Sequence, residues 1–132
     1  MWNEDNRKQR ANDNMTHGEK KITKIIEELT LFFFSVGADR IRSGINKDGN
    51  EIKITMQANY DSEYKGNLHS LEEYLNEPKN EAMEDYYWEL AGSGDPGESN
   101  QLLLVGMMID KAEVTIENNQ VSLVLYKTMD EL

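Results

Sequence analysis

Gly92-Ser-Gly-Asp-Pro-Gly-Glu-Ser99 runs directly into the apolar stretch Leu102 to Ile109. A glycine-rich loop entering a helix presents unpaired backbone N–H groups at the positive end of the helix dipole, an arrangement that binds phosphate. This loop holds no Lys or Arg, and residues Asp61 to Glu98 carry eleven Asp or Glu against Lys65 and Lys79. A polyphosphate arriving without a cation would meet net repulsion. Glu98 at the expected helix start complements the dipole from within the chain, removing the need for an external anion. The spacing suits a phosphate loop, and the charge does not.

Other reactive constellations are weaker. His17 and His69 are the only histidines and there is no cysteine, so a zinc site and a disulfide framework are not expected. The acidic pairs Glu27-Glu28, Glu72-Glu73 and Glu84-Asp85 lack calcium-loop spacing, and adjacent helical carboxylates more often face water than act as acid and base. No nucleophile stands beside a base in the sequence. No catalytic residue and no metal ligand is therefore assigned. The seven methionines suit core filling better than an adaptable binding face.

A chain of 132 residues is the size of one domain with a real core. Its net charge is −11, and the excess is uneven: residues 1–53 hold ten basic and nine acidic side chains, residues 54–132 four and sixteen. The lack of a basic stripe argues against nucleic acid. An acidic surface favours solubility and is also able to dock a basic partner. No apolar run approaches the roughly 18 residues of a membrane span. Met1-Trp-Asn-Glu-Asp-Asn-Arg7 has no apolar signal core, so the expected location is the cytoplasm.

The elements that would position the loop can be read in order. Residues 1–15, with Trp2 and Met15 among their few large apolar side chains, are expected to be a disordered tail. Thr16-His-Gly-Glu19 has capping-box spacing, and Ile22, Ile25, Ile26, Leu29, Phe33 and Val36 form one face of a helix that Gly37 ends. Leu31, Phe32 and Phe34 widen that face, and burial is the expected reason. Ile41, Ser43 and Ile45, an Asp48-Gly49 turn, and Ile52, Ile54, Met56 and Ala58 predict a hairpin facing this helix. Leu68, Leu71 and Leu75 predict a short helix stopped by Pro78, and Asn80 to Gly92 predict another, with Met83, Tyr86, Tyr87 and Leu90 on one stripe and Trp88 off it. Ser99 then caps a helix through Asp110 that is apolar nearly all round, followed by a hairpin turning at Glu117-Asn-Asn-Gln120. The expected domain spans 16–128, with 129–132 a short tail. The order α-ββ-(αα)-α-ββ predicts an α+β fold: a two-layer sandwich with a mixed sheet of four or more strands covered on one face by helices.

This order, and the Gly-led helix, Asp110 and closing hairpin between Gly97 and Lys127, resemble the ATP-binding domain of the GHKL superfamily, the histidine-kinase-like and anti-sigma-factor-like ATPases. The resemblance covers about residues 16–128 and implies a mobile lid before the last helix. It implies a Glu on the first helix, followed four residues later by a magnesium-binding Asn. Glu27 or Glu28 takes the Glu position, but Leu31 or Phe32 takes the Asn position. It also implies an Asp-x-Gly-x-Gly turn for adenine, where this chain reads Asn59-Tyr-Asp61-Ser-Glu-Tyr64. Asn59 or Asp61 could imitate the Asp, and the glycines are missing. The phosphate clamp retains Gly92, Gly94 and Gly97 with Glu98 after them.

Loss at three motifs implies a degenerate member: a non-catalytic regulatory or protein-interaction domain without ATP, magnesium or another cofactor. Its partner is expected to be another protein, a signalling or transcription regulator, engaged through Tyr86, Tyr87 and Trp88, the acidic lid or the end of the first helix. The alternative is a divergent nucleotide-binding enzyme, such as an anti-sigma-type serine protein kinase, using Glu28 and Asp61 with Gly92, Gly94 and Gly97 to hold magnesium-ATP. A homodimer module is the third reading.

Overall fold

The computed structural model describes residues 16–69, 71–76 and 99–129, with the backbone alone at 99–101. Its elements are α1 (His17–Ser35), β1 (Ile41–Asp48), β2 (Glu51–Asn59), a 3₁₀ helix (Ser62–Leu68), α2 (Leu71–Leu75), α3 (Ser99–Met108), β3 (Lys111–Glu117) and β4 (Gln120–Thr128). The fold is α+β, with helices packed on one four-stranded sheet of order β1-β2-β4-β3. The order matches expectation over the described residues. All three strand pairings are antiparallel rather than mixed, because two hairpins meet side by side through β2 and β4. The expected helix after Asn80, the tail 1–15 and residues 130–132 lie outside the described residues.

Local chemistry explains the boundaries. At the start of α1, Thr16 Oγ1 accepts from the Glu19 N–H and Glu19 Oε1 accepts from the Thr16 N–H, both at 3.0 Å, completing the capping box. At its end, Ala38 N–H donates to Phe33 O and Gly37 N–H to Phe34 O, with Gly37 at φ +86°. That is the Schellman pattern, in which the left-handed position favours glycine. The two-residue turns Gly49-Asn50 and Asn118-Asn119 close the hairpins, the second with both asparagines at positive φ as a type I′ turn requires.

Period-2 alternation sorts the sheet. Ile52, Ile54, Met56 and Ala58 of β2 and Val121, Leu123 and Leu125 of β4 point toward the helices and are buried with Ile22, Ile25, Leu29, Phe32 and Phe33 of α1. α3 adds Leu102, Leu104, Val105 and Met108, and its low amphipathicity reflects contact with α1 on one side and α2 on another. At Gly106 an added Cβ would lie 2.9 Å from the carbonyl oxygens of Tyr74 and Leu75, so the absence of a side chain lets α3 press against the backbone of α2.

Four local expectations change. The single helix expected around Leu68, Leu71 and Leu75 is divided into a 3₁₀ segment and the five-residue α2, while all three leucines are buried. Phe34 is 60% exposed, since it faces away from the side of α1 that carries Phe33. Ile45 is 52% exposed: the β1 face expected to meet the helix extends past the helical layer, which covers β2 and β4. Met129, read as the start of a tail, is buried and donates its N–H to Asn50 O at 2.6 Å.

Glu19 also pairs with Lys47, 3.4 Å away on β1. The Thr16 backbone N–H and the Lys47 ammonium hold the Glu19 carboxyl below its ordinary value of 4.5, outweighing slight desolvation. A depressed carboxyl stabilises the fold above its unfolded pKa, and the contribution disappears as pH falls through the folded value. The stability difference between the native chain and Glu19→Gln, measured by urea unfolding, is therefore expected to be greatest above pH 5 and to shrink below about 4.5. A difference constant from pH 7 to pH 3 would contradict the assignment.

Candidate functional site

The end of α1, the loop into β1 and the turn after β2 converge. Asp61 N–H donates to Val36 O at 2.9 Å, tying the chain beyond β2 to the last carbonyls of α1. Gly37 faces this turn so closely that a Cβ there would stand 2.7 Å from Asp61 Cβ. Asn59 and Asp61, the residues that the resemblance offers for adenine, both bond to backbone here. Asn59 Oδ1 accepts from the backbone N–H groups of Asp39 and Arg40, each at 3.0 Å, and its Nδ2 donates to Asp39 Oδ1 at 2.6 Å. Asp61 Oδ1 accepts from Glu63 N–H at 3.0 Å and so caps the 3₁₀ helix.

Glu28 lies on α1 and is 2% exposed, whereas Glu27 faces solvent. Lys24 Nζ stands 3.0 Å from Glu28 Oε1 and 3.3 Å from Glu27 Oε2. Partial burial pushes the Lys24 ammonium down, but the Glu28 and Glu27 carboxylates more than offset this and leave it raised. One turn after Glu28, Phe32 is buried in the core and Leu31 half-buried. Neither side chain offers a metal an oxygen. Eight residues of helix separate Glu28 from Val36, where Asp61 attaches, about 12 Å along the axis. Glu28 and Asp61 thus belong to different places: one to the buried side of α1, the other to its end.

Beyond Asp61 the chain turns inward. Leu68, Leu71 and Leu75 enter the core, and the segment packs against α3 and β3. Asn76 Oδ1 accepts from Ala112 N–H at 2.9 Å while its Nδ2 donates to Ala112 O at 3.0 Å, and Glu72 Oε2 accepts from Val114 N–H at 3.1 Å. These side chains satisfy both backbone groups of Ala112 and the N–H of Val114 on the outer edge of β3. Glu72, expected to face water, therefore has a structural partner 42 residues away. No local pattern announces such a contact, nor the roles of Asn59 and Asn76. Asp110, just before β3, accepts from Thr128 N–H at the end of β4 at 2.7 Å.

Gly92, Gly94 and Gly97 of the proposed phosphate loop, and Tyr86, Tyr87 and Trp88 of the proposed partner surface, lie outside the described residues. Two depressions lined by described residues lie along β1. One, of about 340 Å³, is formed by Glu19, Ile22, Thr23, Ile45, Lys47 and Ile52. The other, about 220 Å³, opens on the opposite sheet face at Arg42, Gly44, Thr55 and Gln57. Among the described residues no three His, Asp or Glu side chains gather as a metal site.

Because Glu28 is held in the core, Lys24→Met is expected to cost about 2–4 kcal/mol in chemical denaturation, and Lys24→Met/Glu28→Leu to recover most of that loss. A single variant within about 0.5 kcal/mol of the native chain would show that Glu28 does not depend on this pair. No protein-family model and no curated protein matches the chain.

Proposed function

We infer that this chain is a non-catalytic regulatory or protein-interaction domain with a GHKL-like fold that has lost ATP binding. The observation that carries this reading is the engagement of Asn59 and Asp61 in backbone clamping, at the position where that superfamily reads adenine. Phe32, buried where a magnesium-binding Asn would stand if Glu28 takes the Glu position, supports it. The two hairpins and the helical layer on the sheet also accord with it, whereas the wholly antiparallel pairing departs from the mixed sheet that the resemblance implies.

A domain without ligand chemistry acts through its surface. Its partner on this reading is another protein, a signalling or transcription regulator met in the cytoplasm, with Tyr86, Tyr87 and Trp88 as the first residues to replace in mapping contact. No described helix is long and apolar enough to cross a membrane.

Calorimetry and thermal unfolding in millimolar magnesium-ATP and magnesium-ADP provide the test. The expected result is no binding heat and an unchanged Tm. Any ligand that binds the native state alone raises Tm by mass action, so a nucleotide-dependent rise would overturn this reading in favour of a nucleotide-binding enzyme.

A further inference from the structure

The two edges of the sheet are treated differently. Hairpin geometry determines which groups they present. A two-residue turn makes its closing pair, Asp48↔Glu51, a hydrogen-bonded pair, and the pairs alternate from there. Even-numbered residues of β1 therefore bond to β2, as the bond from Asn59 N–H to Arg40 O at the end of the ladder bears out. Odd-numbered residues Ser43, Ile45 and Lys47 direct their N–H and C=O outward. The same rule applied to β3 puts Ala112, Val114 and Ile116 outward, and Asn76 and Glu72 cap the first two. β1 is eight residues long and paired at every position with β2, without a bulge. Long, regular edges of this kind recruit another strand.

We propose that β1 is a homodimer interface, in which two copies pair their β1 strands antiparallel about a two-fold axis through Ile45 and form one continuous eight-stranded sheet. A second copy is favoured because the strand is self-complementary in this register. The two-fold keeps both helical layers on one side of the sheet, so a residue must pair with one of the same parity. Centring on Ile45 sets Ile45 against Ile45, Ser43 against Lys47 and Arg42 against Asp48 of the second copy. The outward-facing odd residues then supply the hydrogen bonds. Two opposite-charge pairs fall on the outer face, and the 52%-exposed Ile45 side chains meet over the apolar groove walls Ile22 and Ile52. Moving the axis to Gly44 places Arg42 against Asn46 and Ile41 against Lys47, losing both the Arg42–Asp48 and the Ile45–Ile45 pairs. This interface does not depend on whether nucleotide binding has been lost.

Sedimentation equilibrium of the full chain, from micromolar to millimolar, tests the interface. A concentration-dependent dimer is expected. Arg42→Asp and Asp48→Arg should each weaken self-association by roughly tenfold or more, since each sets two like-charge pairs across the axis. An equimolar mixture of these two variants should restore association as a heterodimer. Circular dichroism and urea unfolding of each variant separate loss of pairing from loss of folding. The chain lacks cysteine, so Ile45→Cys introduces a single thiol. About 5.5 Å between the Cα atoms of a hydrogen-bonded pair permits a disulfide, and oxidation should yield a crosslinked dimer, whereas Ser43→Cys should not. A chain that remains monomeric at millimolar concentration would overturn the proposal. So would a dimer that is indifferent to both charge reversals and does not crosslink through position 45.

Discussion

The pairing of β2 with β4 is the constraint on which the structure depends. Nine registered pairs, from Glu51↔Thr128 to Asn59↔Gln120, join two hairpins whose strands lie more than sixty residues apart. This register places Ile52, Ile54, Met56 and Ala58 beside Val121, Leu123 and Leu125 on one apolar surface. A slip of one residue would turn every member of one strand toward solvent. α1 and α3 have somewhere to bury their stripes because that surface exists. The long sequence separation also makes this the contact with the greatest loop-closure cost, one that the two local hairpins can precede.

The sheet ends differently on its two sides. At β3, Asn76 and Glu72 bond the outward backbone of Ala112 and the N–H of Val114, drawing α2 onto the edge and seating Leu71 and Leu75 in the core. At β1, the edge extends past the helical layer and Ile45 is exposed. The same economy appears after β2, where Asn59 and Asp61 serve the ends of neighbouring elements. In both places polar side chains bind the chain's own backbone.

Local signals in the sequence account for much of this. The capping box at Thr16, the stop at Gly37, both hairpin turns and the buried leucines at 68, 71 and 75 follow from dihedral preference, hydrogen-bonding capacity and hydrophobic period, which are properties of neighbouring residues. Exposure of Ile45 and Phe34 was not legible, because alternation and helical spacing identify a face without saying how far the opposing layer reaches. Glu72, Asn59 and Asn76 were missed as structural groups for a related reason. Their partners are backbone amides and carbonyls brought near only by the completed sheet. Of the candidate nucleotide residues, Glu28 and Asp61 could be placed, and neither role as an ion-paired core carboxylate or a helix cap was readable from its neighbours.

Residue-resolved amide hydrogen exchange of the full chain, followed by NMR at low and high protein concentration, tests most directly the contrast between a completed and an open edge. Ala112 and Val114 N–H groups should be protected equally at both concentrations, because Asn76 and Glu72 satisfy them within one chain. Ser43, Ile45 and Lys47 N–H groups should exchange rapidly in dilute solution and become protected as concentration rises. Concentration-independent protection at Ile45, or rapid exchange at Ala112, would contradict it.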